Sequence, residues 1–405
     1  MAVTYARGFR AGTAACGIKA FTAGASAMPS AQKSDLCVIQ SERTCDTGGV
    51  FTTNKVKSAS VVIDHLHLQH NRVQALVINS GNANACTGAQ GFKDALLMAK
   101  LTADRLDLDP DQVLVSSTGV IGRYMPMDAV KAGIATACSD LDASHGEEAA
   151  RAIMTTDTVP KQARLDLELG GRTVRVGGMS KGSGMIHPNM ATMLAYVTTD
   201  AAVEPGLMAS MVKSIADKSF NQLSVDGDSS TNDTFLLLAN GAAGNAPIRA
   251  GSAEAAALEA ALLDVAQQLA RAIARDGEGA TKLLTVRVSG AESDADARLA
   301  ARTVASSSLV KTAIHGGDPN WGRVVCALGY SGAELAIDRL QVTIGGLPVF
   351  DRGTGVPVDL HAVRRAFEQP EIEVAARLGL GEGSAEAWGC DLSEEYVRIN
   401  ADYTT

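Results

Sequence analysis

Residues 253–275 carry the strongest constraint in the chain. Leu258, Leu262, Val265, Leu269 and Ile273 recur at helical steps of three and four, which lays them along one face of a helix. Ser252 can cap its start, and Gly277 lies just past its end. The segments around it alternate in type. Val73–Asn79, Val113–Ser116 and Lys282–Val288 are short apolar runs that read as strands, the second of them leading into Thr118-Gly119. Residues 92–106 return to helical spacing until Asp109-Pro110 stops them, and Pro126 suits the first turn of a helix running towards Cys138. Strands alternating with helices over 405 residues give an α/β or α+β protein, with a domain boundary at Asp276–Ala280.

Composition removes several classes of function. An apolar share of 46% supports a sizeable core, so the chain is not disordered. No apolar run approaches the ~18 residues of a membrane-spanning helix. Lys and Arg total 36 against 45 Asp and Glu, a net charge of −9, and aromatics are 4%. Phosphate backbones need clustered cations, so nucleic acid is a poor partner. A small-molecule enzyme is left. Cys16, Cys37, Cys45, Cys86, Cys138, Cys326 and Cys390 are odd in number and form no C-x-x-C pair, which argues against a disulfide framework or a Cys-rich zinc site and for a reducing, cytoplasmic setting. The first acidic residue is Asp35, while Arg7, Arg10, Lys19 and Lys33 precede it, in imitation of a transit peptide. Gly8, Gly12 and Gly17 interrupt that stretch too often for an amphipathic helix and favour mature sequence.

Some short matches carry no chemistry. Gly178-Met179-Ser180-Lys181-Gly182 fits the nucleophile elbow, but Ser183-Gly184 and Pro188 follow where a helix must start. Ser308-Leu309-Val310-Lys311 lacks the partner motifs of a serine–lysine enzyme. His65, His67 and His70, read at strand spacing, would put only two on one face, with no carboxylate-rich surround to favour a metal. Asn232-Asp233-Thr234 is a glycosylation sequon without a secretory signal.

The unusual segment is 177–200. Gly177, Gly178, Gly182, Gly184 and Pro188 suggest a flexible stretch, after which Met193–Thr198 reads as a strand headed by Ala191-Thr192. A strained loop with a small residue before a hydroxyl suits self-cleavage at Ala191–Thr192 by an N→O acyl shift and hydrolysis. The product would be an N-terminal Thr192. Its α-amine, with a pKa of about 7.7–8.0 against about 10.4 for lysine, is substantially unprotonated near neutrality. Nucleophile and general base would then share one residue.

The run Lys181-Gly182-Ser183-Gly184-Met185-Ile186-His187-Pro188-Asn189-Met190-Ala191-Thr192 resembles the cleavage motif of the ornithine acetyltransferase family, the glutamate N-acetyltransferases of arginine biosynthesis. The likeness covers essentially the whole chain. It includes Gly8-Phe9-Arg10-Ala11-Gly12, Val50-Phe51-Thr52-Thr53-Asn54, the stretch 79–88, Ser117-Thr118-Gly119-Val120-Ile121-Gly122 and the stretch 226–234. Ser308–Ala313, Asp318–Arg323, Tyr396–Asn400 and Tyr403-Thr404-Thr405 complete it.

This resemblance implies an α+β fold, with a layered αββα sandwich of N-terminal-nucleophile type over 1–280 and a smaller C-terminal α+β domain over 281–405. Cleavage would give an alpha chain 1–191 and a beta chain 192–405, paired into a heterotetramer. Thr192 is implied as nucleophile, Thr118 and Gly119 as the oxyanion hole, and Thr155, Lys181, Thr192, Glu278, Asn400 and Thr405 as substrate-binding positions. Lys181 would meet an α-carboxylate and Glu278 the ornithine ammonium. The implied reaction is ping-pong acetyl transfer from N²-acetyl-L-ornithine to L-glutamate, with no metal and no cofactor. Some members of the family also take acetyl-CoA as co-substrate, and the sequence leaves open whether this chain does. The rival reading is an amidase or aminopeptidase of the same fold, in which water deacylates Thr192.

Overall fold

The computed structural model describes residues 2–19, 33–187 and 193–402. Among them two sheets lie face to face. The first comprises β1 (Phe9–Ala14), β2 (Leu36–Ser41), β4 (Ala75–Asn82) and β5 (Val113–Val120) in that spatial order. The second comprises β3 (Asp46–Phe51), β6 (Lys161–Leu169), β7 (Arg172–Lys181), β8 (Leu194–Thr199) and β10 (Thr234–Ala239), ordered β3-β10-β8-β7-β6.

The two-residue period of a strand sets the layers. Leu76 and Ile78 of β4, Tyr196 of β8 and Leu236 and Leu238 of β10 meet between the sheets. Their neighbours point the other way. Ala75 and Val77 pack with Met98 and Ala99 of the helix Gly88–Leu106 and with Ile134 of the helix Met127–Ser139. Ala195, Val197, Phe235 and Leu237 pack against the helices Leu207–Asp217 and Ala253–Arg275. Both faces of each sheet are thus covered, which is why these strands are continuously apolar. The layering is αββα, as the resemblance implied.

A third sheet is built from β9 (Leu223–Ser224), β11 (Leu283–Ala291), β12 (Gln341–Ile344), β13 (Leu347–Asp351), β14 (Thr354–Gly355), β15 (Glu371–Arg377) and β16 (Gly383–Cys390), ordered β14-β13-β12-β15-β11-β16-β9. Helices Asp294–Ser306, Ser308–Gly316, Trp321–Gly329 and Leu360–Phe367 cover one of its faces. The final helix, Glu394–Asp402, returns to the sandwich.

Several expectations change. Gly177 and Gly178 lie inside β7, so the loop begins only at Gly182. A Cβ on Gly177 would come within 1.8 Å of the Ala2 carbonyl oxygen, so this glycine serves close packing rather than flexibility. The basic N-terminal stretch contributes Val3, Ala6, Phe9 and Ala11 to the core between the sheets. His65 and His67 sit on the helix Ala59–His67 and His70 on the short turn Leu68–His70, not on a strand. His67 Nδ1 lies 2.8 Å from the Val113 carbonyl oxygen, and no group of His, Cys, Asp and Glu among the described residues is placed to hold a metal ion. Ser180 is a buried residue within β7, away from any strand-to-helix turn. Lys311 donates to the Cys390 carbonyl at 2.7 Å and ties its helix to β16. Gly277 does not have positive φ, so it is not a left-handed cap; a Cβ there would come within 2.8 Å of Cys390 Sγ. Among the described residues, no helix is long and apolar enough to cross a membrane.

Candidate functional site

The ends of β5, β7 and β8 converge on a cavity of about 260 Å³, closed by the loop 226–233, by Glu278 and by the final helix. Its size is near the lower end of ligand pockets, about 300–1,000 Å³, and fits a single amino-acid-sized molecule. Thr118, Gly119, Thr155, Lys181, Glu278 and Asn400 all line it. So does Met193, the residue after the expected cleavage point. Ala191, Thr192 and Thr405 lie outside the described residues.

Thr118 and Gly119 end β5 where its pairing with β4 slips at Gly81 and Asn82. Gly119 has φ +131°, and a Cβ there would lie 2.2 Å from the Gly81 carbonyl carbon. Only glycine fits this backbone. The strand end is clamped by Asn232, whose Nδ2 donates to the carbonyls of Ser117 at 2.8 Å and Ala83 at 2.5 Å. The sequence assigns Asn232 no role of its own, as part of an idle sequon and of the 226–234 stretch; its side chain is buried structure beside the site.

Lys181 ends β7 from the facing sheet, and its Nζ reaches Thr118 Oγ1 at 3.4 Å. It is only 8% exposed, a buried cation and not a solvated loop lysine. Burial pushes its ammonium below the ordinary lysine range, against the opposing pull of Asp157, Glu278 and Asp233. Glu278, also 8% exposed, follows the long helix and accepts from Asn400 Nδ2 at 2.8 Å. Its seat exists because Gly184 has no side chain: a Cβ there would come within 2.2 Å of the carboxylate. Asp226 accepts from the amides of Met185 at 2.6 Å and Ile186 at 2.8 Å, holding the loop that precedes the cleavage motif's end. Asp233 is buried with Oδ2 unpartnered among the described residues, and burial raises its carboxyl well above the usual range. His187 is pushed down to about 4 by burial and by Arg302, so it is neutral near pH 7.

Beneath the cavity lies a buried ionic cluster that sequence reasoning missed. Lys161 Nζ sits 2.6 Å from both Asp157 Oδ1 and Asp276 Oδ2. Asp157 also accepts from the amides of Thr155 at 3.0 Å and Gly182 at 2.7 Å, and Thr158 bonds Asp276. Burial alone would raise Asp157, but Lys181, Lys161 and the Gly182 amide hold it down to about 2. Three segments that carry Thr155, Lys181 and Glu278 are thereby fixed to one another. Replacing Lys161 by Met leaves two buried carboxylates without their cation, and the expected loss is about 3–5 kcal/mol in urea unfolding. A loss below about 1 kcal/mol, the range of exposed pairs, would show that the cluster does not hold the site together. Nothing local in the sequence marks Lys161.

The geometry therefore offers two polar donors at a strand end, a buried cation beside them and several carboxylates around the rest of the wall. Comparison with known proteins agrees with the motif reading. The sequence model of the ArgJ family matches residues 10–405. The arginine biosynthesis bifunctional protein ArgJ of Symbiobacterium thermophilum is 51% identical over 403 residues, covering 100% of this chain and 98% of that protein. The protein of the same name from Dehalococcoides mccartyi is 46% identical over 404 residues, covering 100% and 97%. A crystal structure of the Bacillus halodurans arginine biosynthesis bifunctional protein is 39% identical with a TM-score of 0.50, covering 51% of this chain and 98% of that one.

Proposed function

The chain belongs to the ArgJ family, and from that premise we propose that it transfers the acetyl group of N²-acetyl-L-ornithine to L-glutamate through an acetyl-Thr192 intermediate. The carrying observation is spatial. Thr118, Gly119, Thr155, Lys181, Glu278 and Asn400 come from segments far apart in sequence, yet they line one amino-acid-sized cavity together with Met193.

The reaction begins with self-cleavage at Ala191–Thr192. The freed α-amine takes the Thr192 hydroxyl proton as Oγ attacks the acetyl carbonyl. The oxyanion that forms is met by the Thr118 hydroxyl and the Gly119 amide. The intermediate collapses, the proton passes to the leaving nitrogen, and ornithine departs. The α-amine of glutamate then attacks the acetyl-enzyme and leaves as N-acetyl-L-glutamate. No metal or dissociable cofactor enters this cycle. The cavity wall supports a cationic donor: among the described residues, Asp226, Asp228 and Glu278 line it with Lys181 as the one cation. Cleavage near the middle of the polypeptide is supported by the crystallised Bacillus halodurans chain, which corresponds to about half of this one although the full-length relatives match throughout.

The relatives are named bifunctional, which supports a second activity; we assign it to acetyl-CoA-dependent synthesis of N-acetylglutamate, in which acetyl-CoA acylates the same Thr192. We further propose a cytoplasmic enzyme that works as two paired heterodimers of chains 1–191 and 192–405. The test follows acetate and N-acetylglutamate from N-acetylornithine, with and without glutamate. Transfer predicts glutamate-dependent turnover and little free acetate. Acetate release that glutamate fails to suppress would make the enzyme a hydrolase of the same fold instead.

A further inference from the structure

Lys181 brings one charge to the wall of the cavity, and its nearest hydrogen-bonding contact is on the opposite sheet. Of its three N–H donors, one is directed at Thr118 Oγ1, 3.4 Å away; among the described residues no other acceptor is recorded for it. Asp157 Oδ1, the closest charge of opposite sign to be expected, is already taken by Lys161 at 2.6 Å and by the Gly182 amide at 2.7 Å. The ammonium is thus held in a buried place, turned towards the hydroxyl at the end of β5.

A hydroxyl has one proton and two lone pairs. A cation against its oxygen occupies a lone pair, so the proton turns elsewhere, and here the open side is the cavity. The charge also polarises the O–H bond, and in a site shielded from water that effect is much stronger than in solvent. Resting on the acetyl-threonine reading above, we propose that Lys181 is a positioning residue of the oxyanion site: its ammonium orients and polarises the Thr118 hydroxyl as donor to the tetrahedral oxyanion. A lysine that served only as counter-ion to a substrate carboxylate would have no need of Thr118.

A probe without a carboxylate separates these roles. p-Nitrophenyl acetate delivers an acetyl group to the threonine hydroxyl and releases p-nitrophenolate, so the size and rate of the burst report acetylation alone. Rates are taken per cleaved chain on the whole enzyme. Lys181→Met is expected to slow the burst about 100-fold, the scale of losing an oxyanion donor. Thr118→Val should do likewise, and the double variant should be little slower than the slower single one, because the two residues act as a unit. A burst at the wild-type rate in Lys181→Met, with only KM for N-acetylornithine or glutamate raised, overturns the proposal, and so do independent, multiplying effects in the double variant. If Lys181→Met remains uncleaved yet unfolds at the wild-type temperature, the proposal is supported, because the peptide bond being cut presents no ligand carboxylate. Should the Met variant fail to fold, Lys181→Gln repeats the measurement with a neutral donor, and a wild-type burst rate there overturns the proposal equally. A wild-type enzyme that gives no burst and no acetylated chain removes the acetyl-threonine reading itself, a result distinct from any of these.

Discussion

Thr192→Ala is expected to remain one polypeptide and to lose acetyl transfer altogether. The substitution removes a single oxygen that is needed twice. Without it the Ala191–Thr192 bond has no internal nucleophile, so the chain stays whole; without it the mature enzyme has nothing to acetylate. Removal of a catalytic nucleophile costs on the order of 10⁶-fold in turnover. The fold should survive, because the register of the following strand rests on other contacts. Leu194 pairs with Thr234 of β10 and Lys181 of β7, and the Thr234 amide donates to the Met193 carbonyl at 2.9 Å. A denaturing gel, a melting curve and a transfer assay on one preparation check all three points. Two fragments from Thr192→Ala would exclude the assignment. Thr192→Ser, which restores a hydroxyl, should cleave and turn over again.

Gly119→Ala should be nearly as damaging, for a different reason. The new Cβ would be 2.2 Å from Gly81 C and 2.5 Å from Asn82 N, backbone atoms that cannot turn aside, and the residue would have to hold φ +131°. Strands β4 and β5 must part, and the Gly119 amide moves away from the place where the oxyanion forms. Loss of one such donor costs about 2.7–4 kcal/mol of transition-state stabilisation, or 10²–10³ in kcat. The same change should lower the melting temperature, since non-glycine residues at such backbone angles are strained. Thr118→Val provides the contrast: a similar fall in kcat with a smaller drop in melting temperature, because the strand backbone is not disturbed and only Lys181 loses an acceptor. A Gly119→Ala enzyme with wild-type kcat would show that this amide takes no part in the chemistry.

Legibility in the sequence followed how local each cause is. The helix Ala253–Arg275 matches its sequence reading at both ends, because one apolar face and the Ser252 cap, which accepts from the Ala255 amide at 3.1 Å, are short-range features. The helix Gly88–Leu106 starts before its apolar pattern does. Its first turn looks like loop in sequence and is held by Asn84, which accepts from Thr87 Oγ1 at 2.8 Å and donates to the Gly91 carbonyl at 2.9 Å. β4 runs past Asn79 to Asn82 through polar residues, since Ser80, Gly81 and Asn82 still pair with β5 at the site. Polar side chains at a strand end resemble a loop until the partner strand is known.

The site divides in the same way. Motif likeness pointed to Lys181 and Glu278, yet by composition alone both resembled solvated loop charges. Their burial depends on distant partners: Thr118 across the sandwich for one, Gly184 and Asn400 for the other. The Asp157–Lys161–Asp276 cluster was invisible because it joins a strand end to the end of a helix 115 residues away in the chain. No spacing rule reaches so far.

The most direct test is the intact mass of purified wild-type enzyme after exposure to N-acetylornithine with glutamate left out. The account predicts two chains, residues 1–191 and 192–405, with one acetyl group on the second and none on the first. Fully active protein that gives a single mass for unbroken 1–405 would contradict it.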